Sequence, residues 1–385
     1  MNMVAGPREF QIFVKPVGAR CNLRCHYCYY LDKGSSSAKT GTAVMSDELL
    51  DIYIRQHIEA TDGNEIFFSW HGGEPMAAGL PFYRRAVELQ RRYRPDNKVI
   101  INGIQTNGTL INEEWALFLK QENFIAGISL DGPELFHDSF RRRRDDTGTF
   151  HGVLKGMDLL RHQGVPFEIL CVVSSANVSH PLEIYRFFRT LGTEFMTFLP
   201  LVEFVPSEES KVSARSVGPV EFGNFLAAVF DEWIENDIGH IKVQLFEEAL
   251  RTAFGQDHTL CIFRKRCGGV PVVEMTGDFY SCDHYVNEGH LIGNIGDTSL
   301  SDLLDHPRQA AFGQLKRDTL PRYCLECEVL GMCNGECPRN RFMTTPSGEQ
   351  GLNYLCEGYR HFFNHCKPFV EEVARVWRQQ QDGAF

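Results

Sequence analysis

Cys21, Cys25 and Cys28 stand three and two residues apart in the stretch Cys21-Asn22-Leu23-Arg24-Cys25-His26-Tyr27-Cys28. Three thiolates at that spacing can point at one face of a cubane iron–sulfur cluster. The fourth iron then has no protein ligand, and that open iron is where chemistry can happen. A structural zinc would want four closed ligands in a short span, and a disulfide framework would want an even cysteine count in a secreted chain. The triplet fits neither.

A second group lies near the C-terminus. Cys324, Cys327, Cys333 and Cys337 are spaced as in a zinc ribbon, and four sulfurs in that span could close one tetrahedral zinc. Cys261, Cys267 and Cys282 upstream and Cys356 downstream raise the number to eight, which suits two fully ligated four-iron clusters. Asp283 directly follows Cys282, so its carboxylate would be fixed close to an electron acceptor; the commoner use of such an Asp is to make a turn. Cys171, inside an apolar run, reads as core, and Cys366 is given no role.

The rest of the composition narrows the classes. A net charge of -11 argues against broad nucleic-acid binding, and the one dense basic run, Arg141 to Arg144, meets Asp145 and Asp146 at once and reads mostly as a solvated loop. No apolar run approaches the roughly 18 residues that a membrane span requires. Residues 1–18 carry no basic stretch followed by an apolar one, so no signal peptide is expected and the cytoplasm is the default compartment. That compartment keeps thiols reduced, which leaves cluster or metal ligation as the use for most of the thirteen cysteines.

The elements that must position these residues are α/β. Strand patterns fall at 10–16, 65–70, 98–105, 125–130, 167–173 and 194–199, alternating with amphipathic helical patterns at 47–58, 82–93, 113–121, 152–162 and 181–191. Six such repeats imply a parallel sheet, doubly wound or curled into a barrel. Gly-rich and polar turns follow the strand C-termini, where parallel α/β folds build their sites, and the cysteine triplet follows the first strand there. A helix is expected at 220–236, closing the barrel or bridging onward. A hairpin is expected from 270–275 and 279–282, with single helices at 300–316 and 354–379. The domains expected are 1–203, a bridging region 204–254, and a ligand-stapled domain 255–385.

The triplet, with an aromatic residue before its last cysteine, resembles the radical S-adenosylmethionine (SAM) superfamily, and Gly72-Gly73-Glu74-Pro75 resembles that superfamily's SAM-binding turn. The resemblance implies a partial (β/α)6 TIM-like barrel, with SAM contacts at Tyr27, Gly72, Ser129, Arg141 and Leu201. The C-terminal cysteines resemble the iron–sulfur SPASM extension. That resemblance implies one auxiliary cluster on Cys261, Cys267, Cys282 and Cys337 and a second on Cys324, Cys327, Cys333 and Cys356, hence three [4Fe-4S] clusters in all. Cys282-Asp283 and the stretch from Gln105 to Ile111 resemble the anaerobic sulfatase-maturating enzymes. In that family the matching Asp is the base, the substrate is a Cys or Ser in a C/S-x-P-x-R motif of a sulfatase, and the product is Cα-formylglycine. A donor such as flavodoxin or ferredoxin is implied, with no nucleic acid and no membrane. His71 departs from the Gln that relatives often carry. The alternative is a SPASM maturase that crosslinks a short ribosomal peptide. The first strand begins near residue 10, leaving no room for the leader-binding domain common in such enzymes.

Overall fold

The computed structural model describes residues 10–30, 44–208 and 211–382. Residues 1–9, part of the stretch read for a targeting signal, and residues 209–210, in a stretch read as loop, lie outside it. The chain divides into two compact units, one of residues 1–129, 140–167 and 268–313, the other of residues 130–139, 168–267 and 314–385. Among the described residues ten strands carry the α/β part: β1 (Phe13–Val14), β2 (Glu65–Trp70), β3 (Val99–Thr106), β4 (Phe124–Ser129), β5 (Phe167–Val173), β6 (Phe195–Pro200), β7 (Lys242–Val243), β8 (Val272–Val273), β9 (Asp278–Tyr280) and β10 (Leu291–Asn294).

In the first unit β1, β2, β3 and β4 pair in parallel, in that order. Alternation in β2 explains its burial: Ile66, Phe68 and Trp70 are at most 1% exposed, whereas Phe67 on the opposite face is 45% exposed. Trp70 meets Tyr83 edge-on at 5.5 Å, which seats the helix Leu80–Tyr93 on the sheet. The helix Asp47–Ala60 begins where Ser46 Oγ accepts from the Leu49 amide, with Asp47 and Glu48 in its first turn. The expected strand at 10–16 is shorter as a named element, because the chain turns at Pro16. Its pairing is longer, however, with the Gln11, Phe13 and Lys15 amides donating to Gly269, Pro271 and Val273 carbonyls. β8 thus joins β1 in parallel, and β9 and β10 extend it antiparallel. Through this pairing Cys282 and Asp283 belong to the same unit as the N-terminal triplet.

In the second unit β5, β6 and β7 pair in parallel. The helix Pro219–Asn236 packs against the long helix Cys356–Asp382, whose buried Tyr359, Phe362, Phe363, Cys366 and Val370 make one stripe at helical spacing. The two helices cross at glycines: a Cβ on Gly358 would meet the Pro219 carbonyl oxygen at 2.0 Å, and one on Gly223 the Gly358 carbonyl at 2.7 Å. The expected single helix at 300–316 is two, Leu300–Leu304 and Pro307–Asp318. Pro307 disfavours helical backbone at His306 and opens the second helix at its first position, where its missing amide costs nothing.

Candidate active site and cysteine loops

The triplet loop is fixed mainly by main chain. The Gly73 amide donates to the Gly18 carbonyl and the Glu74 amide to the Arg20 carbonyl, each at 2.9 Å. Side chains could not stand at the glycine pair. Gly72 has φ +114° with its missing Cβ 2.7 Å from the Gly18 oxygen, and a Cβ on Gly73 would lie 2.3 Å from the Arg20 oxygen. In this structure the pair therefore serves close packing against the chain that leads into Cys21. Glu74 is fully buried and accepts from Met76 N, Thr106 Oγ1 and Asn107 N at 2.8–3.0 Å. Burial pushes its carboxyl up to about 7 against those hydrogen bonds.

Asn107 then reaches the loop itself, donating to Asn22 Oδ1 at 2.9 Å and lying 3.7 Å from Cys21 Sγ, while the Leu23 amide donates to the same sulfur at 3.3 Å. Donors aimed at a sulfur suit a thiolate ligand. Burial pushes the Cys21 thiol up to about 12. On the other side, His26 N donates to the Phe140 carbonyl, Arg24 N to Arg142 and the Arg144 guanidinium to the Cys21 carbonyl, each at 2.8 Å. Arg141, first in the run read as mostly solvated, is buried at 8% exposure, with its guanidinium 5.5 Å from the Tyr27 ring. Tyr27, Gly72 and Arg141 thus gather at the triplet. Ser129 ends β4 in the same unit, and Leu201, 9% exposed, follows β6 in the other.

Asp283 is 5% exposed and begins a short 3-10 turn directly after Cys282. One carboxylate oxygen is 2.6 Å from the Lys15 ammonium; the other accepts from the Tyr30 hydroxyl at 2.6 Å and from the Tyr29 hydroxyl. Lys15 also pairs with Glu274 at 2.9 Å and lies over the Tyr30 ring. Burial alone would raise the Asp283 carboxyl, but the Lys15 charge, then His71 and His284, hold it well below the usual carboxylate range. Burial pushes His71 down to about 4; Asp283 works against this and Lys15 adds to it. That ring stacks on Phe13 at 4.4 Å and approaches the Tyr30 hydroxyl at 3.3 Å. Lys15, Tyr29, Tyr30 and Glu274 were not singled out from the sequence. Signals for three of them exist: two tyrosines directly after the last triplet cysteine, and a lysine inside an apolar strand.

In the second unit Cys324, Cys327, Cys333 and Cys356 line one cavity together with Tyr359 and Arg360. A shared cavity fits the set inferred for one cluster, and burial pushes the Cys333 and Cys356 thiols up to about 12, as at Cys21. Three consecutive left-handed residues, Asn334, Gly335 and Glu336, carry the chain from Cys333 to Cys337. Buried charges hold that turn. Glu336 accepts from Asn353 and Asn340, and Arg341 donates to the carbonyls of Lys316, Asn334, Gly335 and Glu336. Lys316, 1% exposed, donates to the Cys261 and Ile262 carbonyls at 3.1 and 2.6 Å. Cys261, Cys267 and Cys337 lie in this unit and Cys282 in the first. Cys171 and Cys366 are fully buried.

Comparison with known proteins matches residues 16–188 to the Radical SAM superfamily and residues 261–328 to SPASM, an iron-sulfur cluster-binding domain. A serine-type anaerobic sulfatase-maturating enzyme of Bacteroides thetaiotaomicron is 40% identical across 97% of this chain and 93% of its own length. A cysteine-type anaerobic sulfatase-maturating enzyme of Clostridium perfringens is 33% identical across 94% and 98%. Among solved structures, native anSMEcpe with bound AdoMet and Cp18Cys peptide aligns with a TM-score of 0.85 at 31% identity, covering 95% of this chain and 99% of that one. Among the described residues no helix is long and apolar enough to cross a membrane.

Proposed function

Since the chain belongs to the anaerobic sulfatase-maturating enzymes, radical SAM proteins with a SPASM iron–sulfur domain, we propose that it oxidises a Cys or Ser of a sulfatase C/S-x-P-x-R motif to Cα-formylglycine. Cys21, Cys25 and Cys28 would hold the cluster that binds SAM, with Tyr27, Gly72, Ser129, Arg141 and Leu201 around the cofactor. The remaining eight ligands would hold two auxiliary clusters in the sets expected above, making three. When bound, the cofactors together would supply reductive SAM cleavage, removal of one Cβ hydrogen atom and uptake of the electron left on that carbon.

The protein's part is placement and one proton. Asp283 would take the thiol or hydroxyl proton as the Cβ–S or Cβ–O double bond forms, and water then converts a thioaldehyde to the aldehyde with loss of hydrogen sulfide. Although Lys15 makes Asp283 a weak base, the substrate proton becomes far more acidic once the neighbouring carbon carries an unpaired electron. Lys15, Tyr29 and Tyr30 hold the carboxylate ionised and aimed. The observation that carries the reading is this buried, ionised carboxylate, one residue after Cys282 and ringed by hydroxyls directly after Cys28. A flavodoxin- or ferredoxin-like donor in the cytoplasm would supply the first electron.

The test is anaerobic incubation with SAM, a strong reductant and matched C-x-P-x-R and S-x-P-x-R peptides, read by mass. Formylglycine in either peptide is expected. Cleaved SAM with both peptides unchanged would overturn the substrate class.

A further inference from the structure

His258 lies three residues before Cys261 and is 7% exposed. Its Nδ1 is 2.8 Å from Glu248 Oε2 and its Nε2 is 3.0 Å from the Gly331 carbonyl oxygen. The Gly331 carbonyl only accepts, and so does Glu248 as the carboxylate that its donors from Thr259 and Leu260 favour. A neutral imidazole has one N–H and can serve one of them; serving both requires the doubly protonated ring. Glu248, on the helix Gln244–Ala253 and 1% exposed, supplies the counter-charge and also accepts from the Thr259 and Leu260 amides and the Thr259 hydroxyl. One carboxylate therefore gathers the chain from His258 to Leu260, immediately before Cys261.

The other end of the clamp is the short helix Leu330–Cys333. Gly331 is two residues from Cys333, so the imidazolium joins the chain that carries Cys261 to the chain that carries Cys333. Asn334 ties the same two segments again, donating to the Phe263 carbonyl at 2.8 Å. All these residues belong to the second unit. The SAM-cluster triplet does not need such a tie, and nothing in the proton transfer assigned to Asp283 uses it. A buried ion pair is a poor source of net stability, and geometric specification is a better-attested reason for keeping one.

We infer that His258 is a positioning residue for the auxiliary clusters: a charged clamp between Glu248 and Gly331 that fixes the Cys261 loop against the Cys333 turn, ligands of two different clusters. This rests on the proposed assignment of the C-terminal cysteines. Hydrogen-bond partners behind metal ligands typically govern 10- to 100-fold in metal affinity or activity.

The test uses anaerobically reconstituted enzyme and three variants: His258→Leu, which has no donor, His258→Gln, which has one donor group, and Glu248→Gln, which keeps shape and loses charge. Wild-type enzyme is first assayed for iron, since a content of about four atoms per chain rather than about twelve would defeat the cluster assignment itself. Given loaded wild type, release of auxiliary iron to a chelator is expected to be roughly 10- to 100-fold faster in His258→Leu and intermediate in the two Gln variants. The auxiliary midpoint potentials are expected to move in the Gln variants, while the electron paramagnetic resonance signal of the SAM cluster stays as in wild type. Should His258→Leu fail to fold, the two Gln variants carry the test. Unchanged chelation rates and unchanged auxiliary potentials, whatever the melting temperature, would overturn the inference.

Discussion

The N-terminal triplet and the C-terminal cysteines offer the same donor atom, yet the chain holds them by different means. Around the triplet much of the restraint is backbone: a glycine pair too crowded for any Cβ, carbonyls of residues 18 and 20, and the main chain of residues 140 and 142, joined by the Asn107 amide and the Arg144 guanidinium. Around Cys261, Cys333 and Cys337 charged side chains join the main chain, buried at Lys316, Glu336, Glu248 and His258 and half-buried at Arg341. A site proposed to leave one iron open to a small molecule would benefit from small residues and main-chain groups, which take little space. The C-terminal cysteines stand on short helices and turns whose main chain makes few regular ladders, so side-chain charges supply hydrogen bonds that hold the turns, beside the apolar stripe of the long helix.

That contrast can be broken most directly at the triplet. Replacing Cys21, Cys25 and Cys28 together by Ala should abolish 5′-deoxyadenosine formation while about two-thirds of the iron remains, because the other ligands have their own supports. Substantial cleavage by that variant would end the assignment. Next in size is Asp283→Asn, nearly isosteric, where loss of a general base should cut formylglycine formation by roughly 10²- to 10⁴-fold. Because hydrogen abstraction precedes the proton's departure, the variant should still form 5′-deoxyadenosine and carry deuterium into it from a Cβ-deuterated peptide. Wild-type maturation rates would put the base elsewhere.

A third substitution tests the other half of the contrast. Cys324→Ala with Cys327→Ala should lose about four irons per chain and lower the melting temperature, since cluster binding and local folding are coupled there. Full iron and a wild-type melt would show that the shared cavity holds no cluster. Gly73→Ala should instead spare the C-terminal iron and lower occupancy of the triplet, through the clash with the Arg20 carbonyl. Equal iron loss from both regions would show that the triplet loop is not held in the way described.

Much of this contrast was legible in the sequence, and the illegible part has a physical pattern. Ligand spacing and hydrophobic periodicity are local, so the triplet, the strand Glu65–Trp70 and the helix Glu113–Gln121 could be read with their bounds. The partners of Asp283 could not, because Lys15 comes from 268 residues earlier through parallel pairing of β1 with β8, and a periodic pattern marks a strand without saying which distant strand lies beside it. Lys316, Arg341 and Glu336 look like ordinary surface charges until the fold buries them. The break at Pro307 was visible as a proline, but the apolar pattern ran through it.

The smallest expected effect comes from a histidine whose setting is the reverse of His258's. His57, in the first unit, is 1% exposed; its Nδ1 accepts from the Tyr53 hydroxyl at 2.7 Å and its other nitrogen serves the Phe67 carbonyl. One acceptor role and one donor role call for the neutral ring, and burial pushes its pKa down to about 3. In the unfolded chain the ring takes a proton near pH 6.5. Between those values the unfolded state binds more protons, so stability must fall as pH drops through 6.5. Moving from pH 8 to 5.5 should remove about 1.4 kcal/mol through His57. His57→Gln keeps one donor and one acceptor and cannot titrate, so its unfolding free energy in urea should fall less over that range by the same amount. His71 acts in the same direction and cancels between the two proteins. Parallel pH profiles would mean that His57 titrates in the folded chain as it does in the unfolded one, and the distinction between a neutral imidazole in one unit and a charged clamp in the other would be lost.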